Sequence, residues 1–246
     1  MNPLIIIPAR MGSSRLPGKP LADISGSPMI VRVCERAAAS GCGPVLVAAA
    51  EQEIVEAVKT AGFEAVRTDP ALPSGSDRVW AAAEAFDSAG IHDILINLQG
   101  DMPTLPPTSL KSVLSPLTAD PKVDIATLAA AIEDDHERDD PNVVKAVITG
   151  APDTKIGRAL YFTRTSAPHG DGPLFHHIGV YAYRRGALGK FVNAAPTALE
   201  MRERLEQLRA LELGLRIDCA IIHGPPPNGV DTPEDLERAR ATYMAF

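Results

Sequence analysis

A chain of 246 residues, 45% hydrophobic and 22% charged, is long enough for one large α/β domain or for a domain carrying an inserted lobe. A net charge of −7 and a pI near 5.4 argue against a surface built for nucleic acid, and three cysteines (Cys34, Cys42, Cys219) without C-x-x-C spacing support neither a disulfide framework nor a zinc ribbon. No apolar run reaches membrane-spanning length and nothing resembles a signal peptide, so the expectation is a cytoplasmic protein with reduced, mostly buried thiols and no membrane partner.

In chain order, the pattern opens with a buried strand from Leu4 to Ile7 and a polar loop inside "IIIPARMGSSRLPGKPL". Ser27 then reads as the cap of a helix with Pro28 at its first position. A strand from Val45 to Ala49, a helix from Glu51 to Ala61 and a short strand from Phe63 to Val66 follow, then a helix from about Asp77 and a strand in "DILINLQGD". Repeated βα units of this kind imply a mostly parallel sheet covered on both faces, with its ligand site at the carboxyl ends of the strands. From Ile125 the pattern changes. Strands are expected at Ile125 to Ile132, Val143 to Ile148, Ala159 to Phe162 and Ile178 to Tyr183, suggesting an antiparallel or mixed portion. A helical run from Leu199 to Leu213, a strand from Ile217 to Ile222 and a final helix complete the chain.

The first loop is not a Walker loop. Five residues separate Gly12 from Gly18, and Pro20 follows Lys19 where that motif needs a Ser or Thr hydroxyl. What it offers is Arg10, Arg15 and Lys19 with no acid among them, a local excess of positive charge in an acidic chain and a fit for a small polyanion. Asp101, behind Gly100, emerges immediately after a buried strand. In "GVDTPEDLERAR", Thr232, Pro233 and Asp235 supply a helix start, which leaves Asp231 over. Asp101 and Asp231 together offer the hard oxygen ligands that Mg²⁺ prefers, although each also reads as an ordinary turn or helix-start acid. Ser74 and Arg78 in "PSGSDR" stand where a nucleotide can approach a helix amino terminus. Arg164, His177, Tyr181, Glu206 and Gln207 form a polar set suited to an acidic, hydroxylated molecule.

The segments "IIIPARMGSSRLPGKPL", "SGSDR", "NLQGDMP", "HHIGVYAYR", "LEQLR" and "GVDTPEDLERAR" resemble, in order and over nearly the whole chain, the 3-deoxy-manno-octulosonate cytidylyltransferases, or CMP-KDO synthetases. The resemblance implies a single Rossmann-like nucleotidyltransferase domain, with a mixed, mostly parallel central sheet. Its parts would be a nucleotide-binding part near 1–120, a sugar-acid and dimerisation part near 121–222 and a C-terminal metal-ligand loop and helix at 223–246. It implies a homodimer using CTP, KDO and Mg²⁺ to make CMP-KDO and pyrophosphate for lipopolysaccharide synthesis. Position by position, Arg10, Arg15 and Lys19 match the triphosphate loop, while Ser74, Arg78 and Gln99 match nucleotide contacts. Asp101 and Asp231 match the metal carboxylates, and Arg164, His177, Tyr181, Glu206 and Gln207 match the sugar-acid site. Lys19, Arg10, Asp101 and Asp231 are thus the expected catalytic group. Met102 stands where the family usually has an acid, Ala49-Ala50 where a Thr-Asp pair is common, Asp77 where a Glu is usual, and the loop after Arg164 lacks a customary tryptophan. The alternatives are a cytidylyltransferase for an amino-KDO or another nonulosonate, and a non-catalytic binder of nucleotide or sugar acid.

Overall fold

Residues 4 to 7 are Leu-Ile-Ile-Ile, and each side chain is fully buried, as a strand covered on both faces requires. They form the middle of β1 (Pro3–Ala9) in a computed structural model that describes residues 1–13, 15–150, 154–224, 226–227 and 229–244. The chain divides into two compact units, one of residues 1–110 and 227–246 and one of residues 111–226, and the first division falls inside a helix.

In the first unit, β1 is followed by a hairpin, β2 (Asp23–Ile24) and β3 (Ser27–Pro28), then α1 (Met29–Ala39), β4 (Val45–Ala49), α2 (Gln52–Thr60), β5 (Glu64–Arg67), α3 (Gly75–Phe86) and β6 (Ile94–Asn97). Four of these strands lie in the order β5-β4-β1-β6, all parallel, with Ile5 opposite both Val45 and Ile96. The helices α1 and α2 pack on each other and against the strands, while α3 lies across β1, β4, β5 and β6. The hairpin corrects one expectation. Ser27 does not cap α1, because Ser25 (φ 51°) and Gly26 (φ 83°) make a two-residue turn with both central residues left-handed, and Ser27 is spent pairing with Ile24. Pro28 takes the cap position instead.

Beyond β6, α4 (Pro107–Ala119) opens with proline at its first position and carries Pro116 inside. The second unit is then built from β7 (Ile125–Ala131), α5 (Asp135–Asp139), β8 (Lys145–Ile148), β9 (Ile156–Thr163), β10 (Phe175–Arg184), α6 (Arg185–Val192), α7 (Ala198–Glu203), α8 (Gln207–Glu212) and β11 (Ile217–Ile222). Its strands run in the order β10-β7-β11-β9-β8, and β8 pairs again with β10 at Lys145 and His176. The β11–β7 pair is parallel and the others antiparallel, so the mixed character read from the sequence is present. The single helix expected from Leu199 to Leu213 is two, because Arg204 turns left-handed (φ 57°) and ends α7. The last helix, α9 (Pro233–Met244), belongs to the first unit. Its Leu236 and Ala239 pack with Val230 on Ile24 and Met29, and the Tyr243 hydroxyl donates to the Pro103 carbonyl at 2.7 Å. Among the described residues no helix is long and apolar enough to cross a membrane. Cys34 and Cys219 are buried thiols, and burial pushes the Cys34 thiol up to about 12.

Candidate active site

The carboxyl ends of the parallel strands open onto a cavity of about 380 Å³ in the first unit, and Arg10, Arg15, Lys19, Ser74, Arg78, Gln99, Asp101 and Asp231 all line it. Three features of the chain bring them there. Gly18 takes a left-handed conformation (φ 68°) and starts the tight turn Lys19–Leu21, with Pro20 buried beneath it. Gly100 is the second. A Cβ there would stand 2.8 Å from the Pro8 carbonyl oxygen, so only glycine lets the segment after β6 lie this close to β1 and deliver Asp101 beside Lys19. The third is a backbone bond from Val230 N–H to the Asp101 carbonyl, 2.8 Å, which carries the chain before α9 to the same place.

At the centre, Lys19 Nζ donates to Asp101 Oδ2 at 2.7 Å and to Asp231 Oδ1 at 3.0 Å. Burial works against the Lys19 charge, but the two carboxylates outweigh it and hold its pKa above the ordinary lysine value. Arg15 meets Asp231 from the solvent side at 3.1 Å. Asp231 is available because Asp235 and Thr232 cap α9 reciprocally. The Asp235 carboxylate accepts the Asp231 and Thr232 N–H groups, and Thr232 Oγ1 accepts the Asp235 N–H. The spare aspartate expected from the sequence is therefore real, and it lies 3.0 Å from the same ammonium that Asp101 holds. Met102 is 5% exposed, a core residue rather than a polar one at the strand end.

Two lining residues have structural work as well. Ser74 Oγ caps α3, accepting the Asp77 N–H at 3.2 Å and donating to the Asp77 carboxylate at 2.6 Å. Arg78, 3% exposed, donates to Thr68 Oγ1 at 2.6 Å and to the Asp69 carbonyl at 3.1 Å. Thr68 in turn donates to the Ala49 carbonyl at 3.0 Å, so Arg78 fixes the ends of two strands. Gln99 Nε2 donates to Asn97 Oδ1 at 3.2 Å.

The remaining expected residues are in the second unit. His177 is 8% exposed, edge-on to Phe162 with ring centroids 4.8 Å apart, and 5.5 Å from the ring of Tyr181. Its Nε2 lies 3.0 Å from Thr127 Oγ1. The single proton of Thr127 serves the Val180 and Ile178 carbonyls at 2.9 and 3.2 Å, where β10 bulges, so the imidazole is the donor of this pair. Burial and the neighbouring His176 lower the His177 pKa to about 3, leaving a neutral ring. Burial first, then Tyr183 and Glu206, push the Tyr181 phenol well above its usual value, so Glu206 belongs to this neighbourhood; Gln207 is buried at the start of α8. Arg164 is otherwise engaged than expected. Its guanidinium donates to the carbonyls of Pro141 (2.9 Å), Glu203 (3.0 Å) and Arg204 (3.4 Å), so a forked pair with a ligand carboxylate requires it to give up some of these. The Glu203 carboxylate accepts Thr163 Oγ1 at 3.2 Å and the Arg164 N–H at 3.3 Å. Glu203, Thr127 and Thr68 were missed in the sequence because each acts on a partner at least 19 residues away, with no local motif to mark it.

A parallel sheet whose carboxyl edge gathers cations around two carboxylates fits a nucleotidyltransferase. The sequence profile named Cytidylyltransferase matches residues 4–217. Proteins named 3-deoxy-manno-octulosonate cytidylyltransferase from Rhodospirillum rubrum and Rhodospirillum centenum are 58% and 60% identical, with 97% and 98% of this chain and 94% and 93% of theirs aligned. A solved structure of CMP:2-keto-3-deoxy-manno-octonic acid synthetase complexed with CTP superposes with a TM-score of 0.91 at 36% identity, covering 100% of this chain and 99% of that one. A cytidylyltransferase from Leptospira borgpetersenii, 17% identical with a TM-score of 0.63 over 100% of this chain and 88% of that one, shares the fold. The chain belongs to the 3-deoxy-manno-octulosonate cytidylyltransferase family.

Proposed function

We propose that this protein transfers CMP from CTP to 3-deoxy-D-manno-octulosonate (KDO), giving CMP-KDO and pyrophosphate. The observation that carries the reading is 58–60% identity, over 97–98% of the chain, to relatives of that name. The cation-lined cavity supports it independently, since a triphosphate needs several positive groups converging from different segments. The anomeric hydroxyl attacks the α-phosphorus in line and pyrophosphate leaves. Two anions must meet, so Lys19, Arg10 and Arg15 neutralise phosphate charge; before substrate and metal enter, the two carboxylates hold the Lys19 pKa above the ordinary lysine value. Ser74, Arg78 and Gln99 hold the nucleotide. His177 serves the sugar acid as a neutral hydrogen-bonding group, with Tyr181, Glu206 and Gln207 on hydroxyls and Arg164 on the carboxylate.

The reading includes Mg²⁺. Asp101 and Asp231 fit it, because oxygens of both approach one cationic nitrogen within 3.0 Å. Among the described residues no group of three acidic, His or Cys side chains could hold a metal, so substrate phosphates and water would complete the shell. When bound, the ion polarises phosphoryl oxygens and screens the leaving pyrophosphate. The family resemblance further supports a homodimer working in the cytoplasm in lipopolysaccharide synthesis, and sedimentation at about twice the 26.1 kDa chain mass would check the dimer. The decisive assay is pyrophosphate release from CTP with Mg²⁺, with and without KDO, beside ATP, GTP and UTP. Release that requires both CTP and KDO is expected, and KDO-independent or absent release refutes the reading.

A further inference from the structure

Strand β4 leaves the sheet through Ala48, Ala49 and Ala50, none more than 1% exposed, so its carboxyl end offers no functional side chain. The first polar side chain beyond it is Glu51, which holds the N-cap position of α2 with an extended backbone (φ −113°, ψ 152°). A short polar side chain such as Ser, Thr, Asp or Asn at this position ordinarily turns its oxygen onto the open amides of the first helical turn, and the longer Glu side chain is able to reach further. Glu51 makes no such bond. Its carboxylate reaches instead to the loop after β1, where Oε2 accepts the Met11 N–H at 2.9 Å across 40 residues of sequence. Met11 stands between Arg10 and Gly12, both of which line the cavity.

The surroundings make this choice informative. Burial opposes the charge of Arg78, the Glu51 carboxylate supports it and Arg10 opposes it, so Glu51 sits among the cations expected to receive a triphosphate. A negative charge there weakens anion binding unless it contributes something else. The contribution visible in the structure is the bond to Met11. Ala50 N–H adds a second tie from the same segment, donating to the Ala9 carbonyl at 3.0 Å. Glu51 thereby extends the β1–β4 pairing by side chain past the point where backbone pairing ends at Ala9 and Ala49.

We propose that Glu51 is a positioning residue for the nucleotide-binding loop: by accepting the Met11 N–H it fixes the start of the loop against the end of β4, so that Arg10 meets the triphosphate from a preformed backbone. The proposal rests on the CTP reading above. Glu51 touches no substrate in this role and acts through the loop, by sparing the ordering cost that a free loop pays on binding.

Two substitutions separate its possible contributions. Glu51→Gln keeps an acceptor oxygen for Met11 and removes the charge, whereas Glu51→Ala removes both. Hydrogen exchange at the Met11 amide, read without substrate, should show protection in the wild type and in Glu51→Gln and its loss in Glu51→Ala. In the pyrophosphate assay, Glu51→Ala should raise the KM for CTP about tenfold with kcat within about twofold, the size of one net hydrogen bond to a charged acceptor. Glu51→Gln should leave that KM at or below the wild-type value. Equal Met11 exchange in wild type and Glu51→Ala overturns the proposal whatever the substrate is. So does an unchanged KM in Glu51→Ala, or a Glu51→Gln variant as impaired as the alanine. A wild type that shows Glu51-dependent protection of Met11 but binds no CTP would refute the nucleotide reading and leave the loop attachment standing.

Discussion

Lys19 answers to two carboxylates from segments 130 residues apart, and its charge is therefore both fixed in place and secured against titration. Replacing it with methionine removes the ammonium from the cavity and leaves Asp101 and Asp231 facing each other. Turnover should fall about 10²- to 10³-fold, as for loss of one preorganised donor at a developing charge. Pyrophosphate release reads this, and a fall of less than about threefold would contradict the role. His177 gives a pH prediction. Its folded pKa, about 3, lies below the ordinary value of 6.5. The unfolded chain therefore binds the extra proton between those limits, so stability is full above pH 6.5 and is lost as pH falls towards 3. Denaturant unfolding should show a loss of about 2 kcal/mol from this group between pH 7 and pH 5, with a flatter dependence in His177→Gln. An imidazole titrating near 6.5 in the folded protein would refute it. At this scale the sequence announces residues that stand on special local patterns, such as Lys19 after Gly18 or Asp231 before a self-sufficient cap. It is silent on Glu51, whose position reads as a helix start and whose carboxylate works on Met11.

Among the elements, the glycine at the end of the fourth parallel strand has the narrowest tolerance. Gly100→Ala puts a methyl 2.8 Å from the Pro8 carbonyl oxygen and 3.4 Å from Ile30 Cδ1, so the backbone must retreat and take Asp101 with it. The expected result is a loss of about 1–3 kcal/mol in unfolding free energy, with a disproportionate fall in kcat as Asp101 leaves Lys19. Unchanged activity would show that the segment yields without moving the carboxylate. The parallel strands were legible because burial on both faces produces continuous apolar runs, as in Leu4 to Ile7 and Ile94 to Ile96. The helix α4 was not, since Pro106, Pro107 and Pro116 among serines and threonines resemble a loop, although Pro107 sits where a helix accepts proline. The break between α7 and α8 was hidden for the opposite reason. The apolar spacing of Leu205 and Leu208 continues the helical rhythm past Arg204, while the left-handed turn there depends on a backbone state that arginine does not advertise.

For the whole molecule, a net charge of −7 coexists with a cavity lined by Arg10, Arg15, Lys19 and Arg78, so charge is sorted by place rather than balanced on average. The division into two units sets another property. The first unit takes its last piece from the end of the chain, where Leu236 and Ala239 of α9 complete a small core with Ile24 and Met29. Leu236→Ala should cost about 2–3 kcal/mol and should weaken pyrophosphate release by loosening Asp231, and thermal unfolding followed beside the assay measures both. An equal stability loss with full activity would detach Asp231 from the helix that follows it. This arrangement also gives the chain a built-in order of completion during synthesis. A nascent polypeptide that has reached residue 226 possesses every parallel strand, Lys19 and Asp101, yet lacks the second carboxylate. The residues after 226 thus bring two things at once, the second carboxylate on Lys19 and the side chains that close the core over Ile24 and Met29.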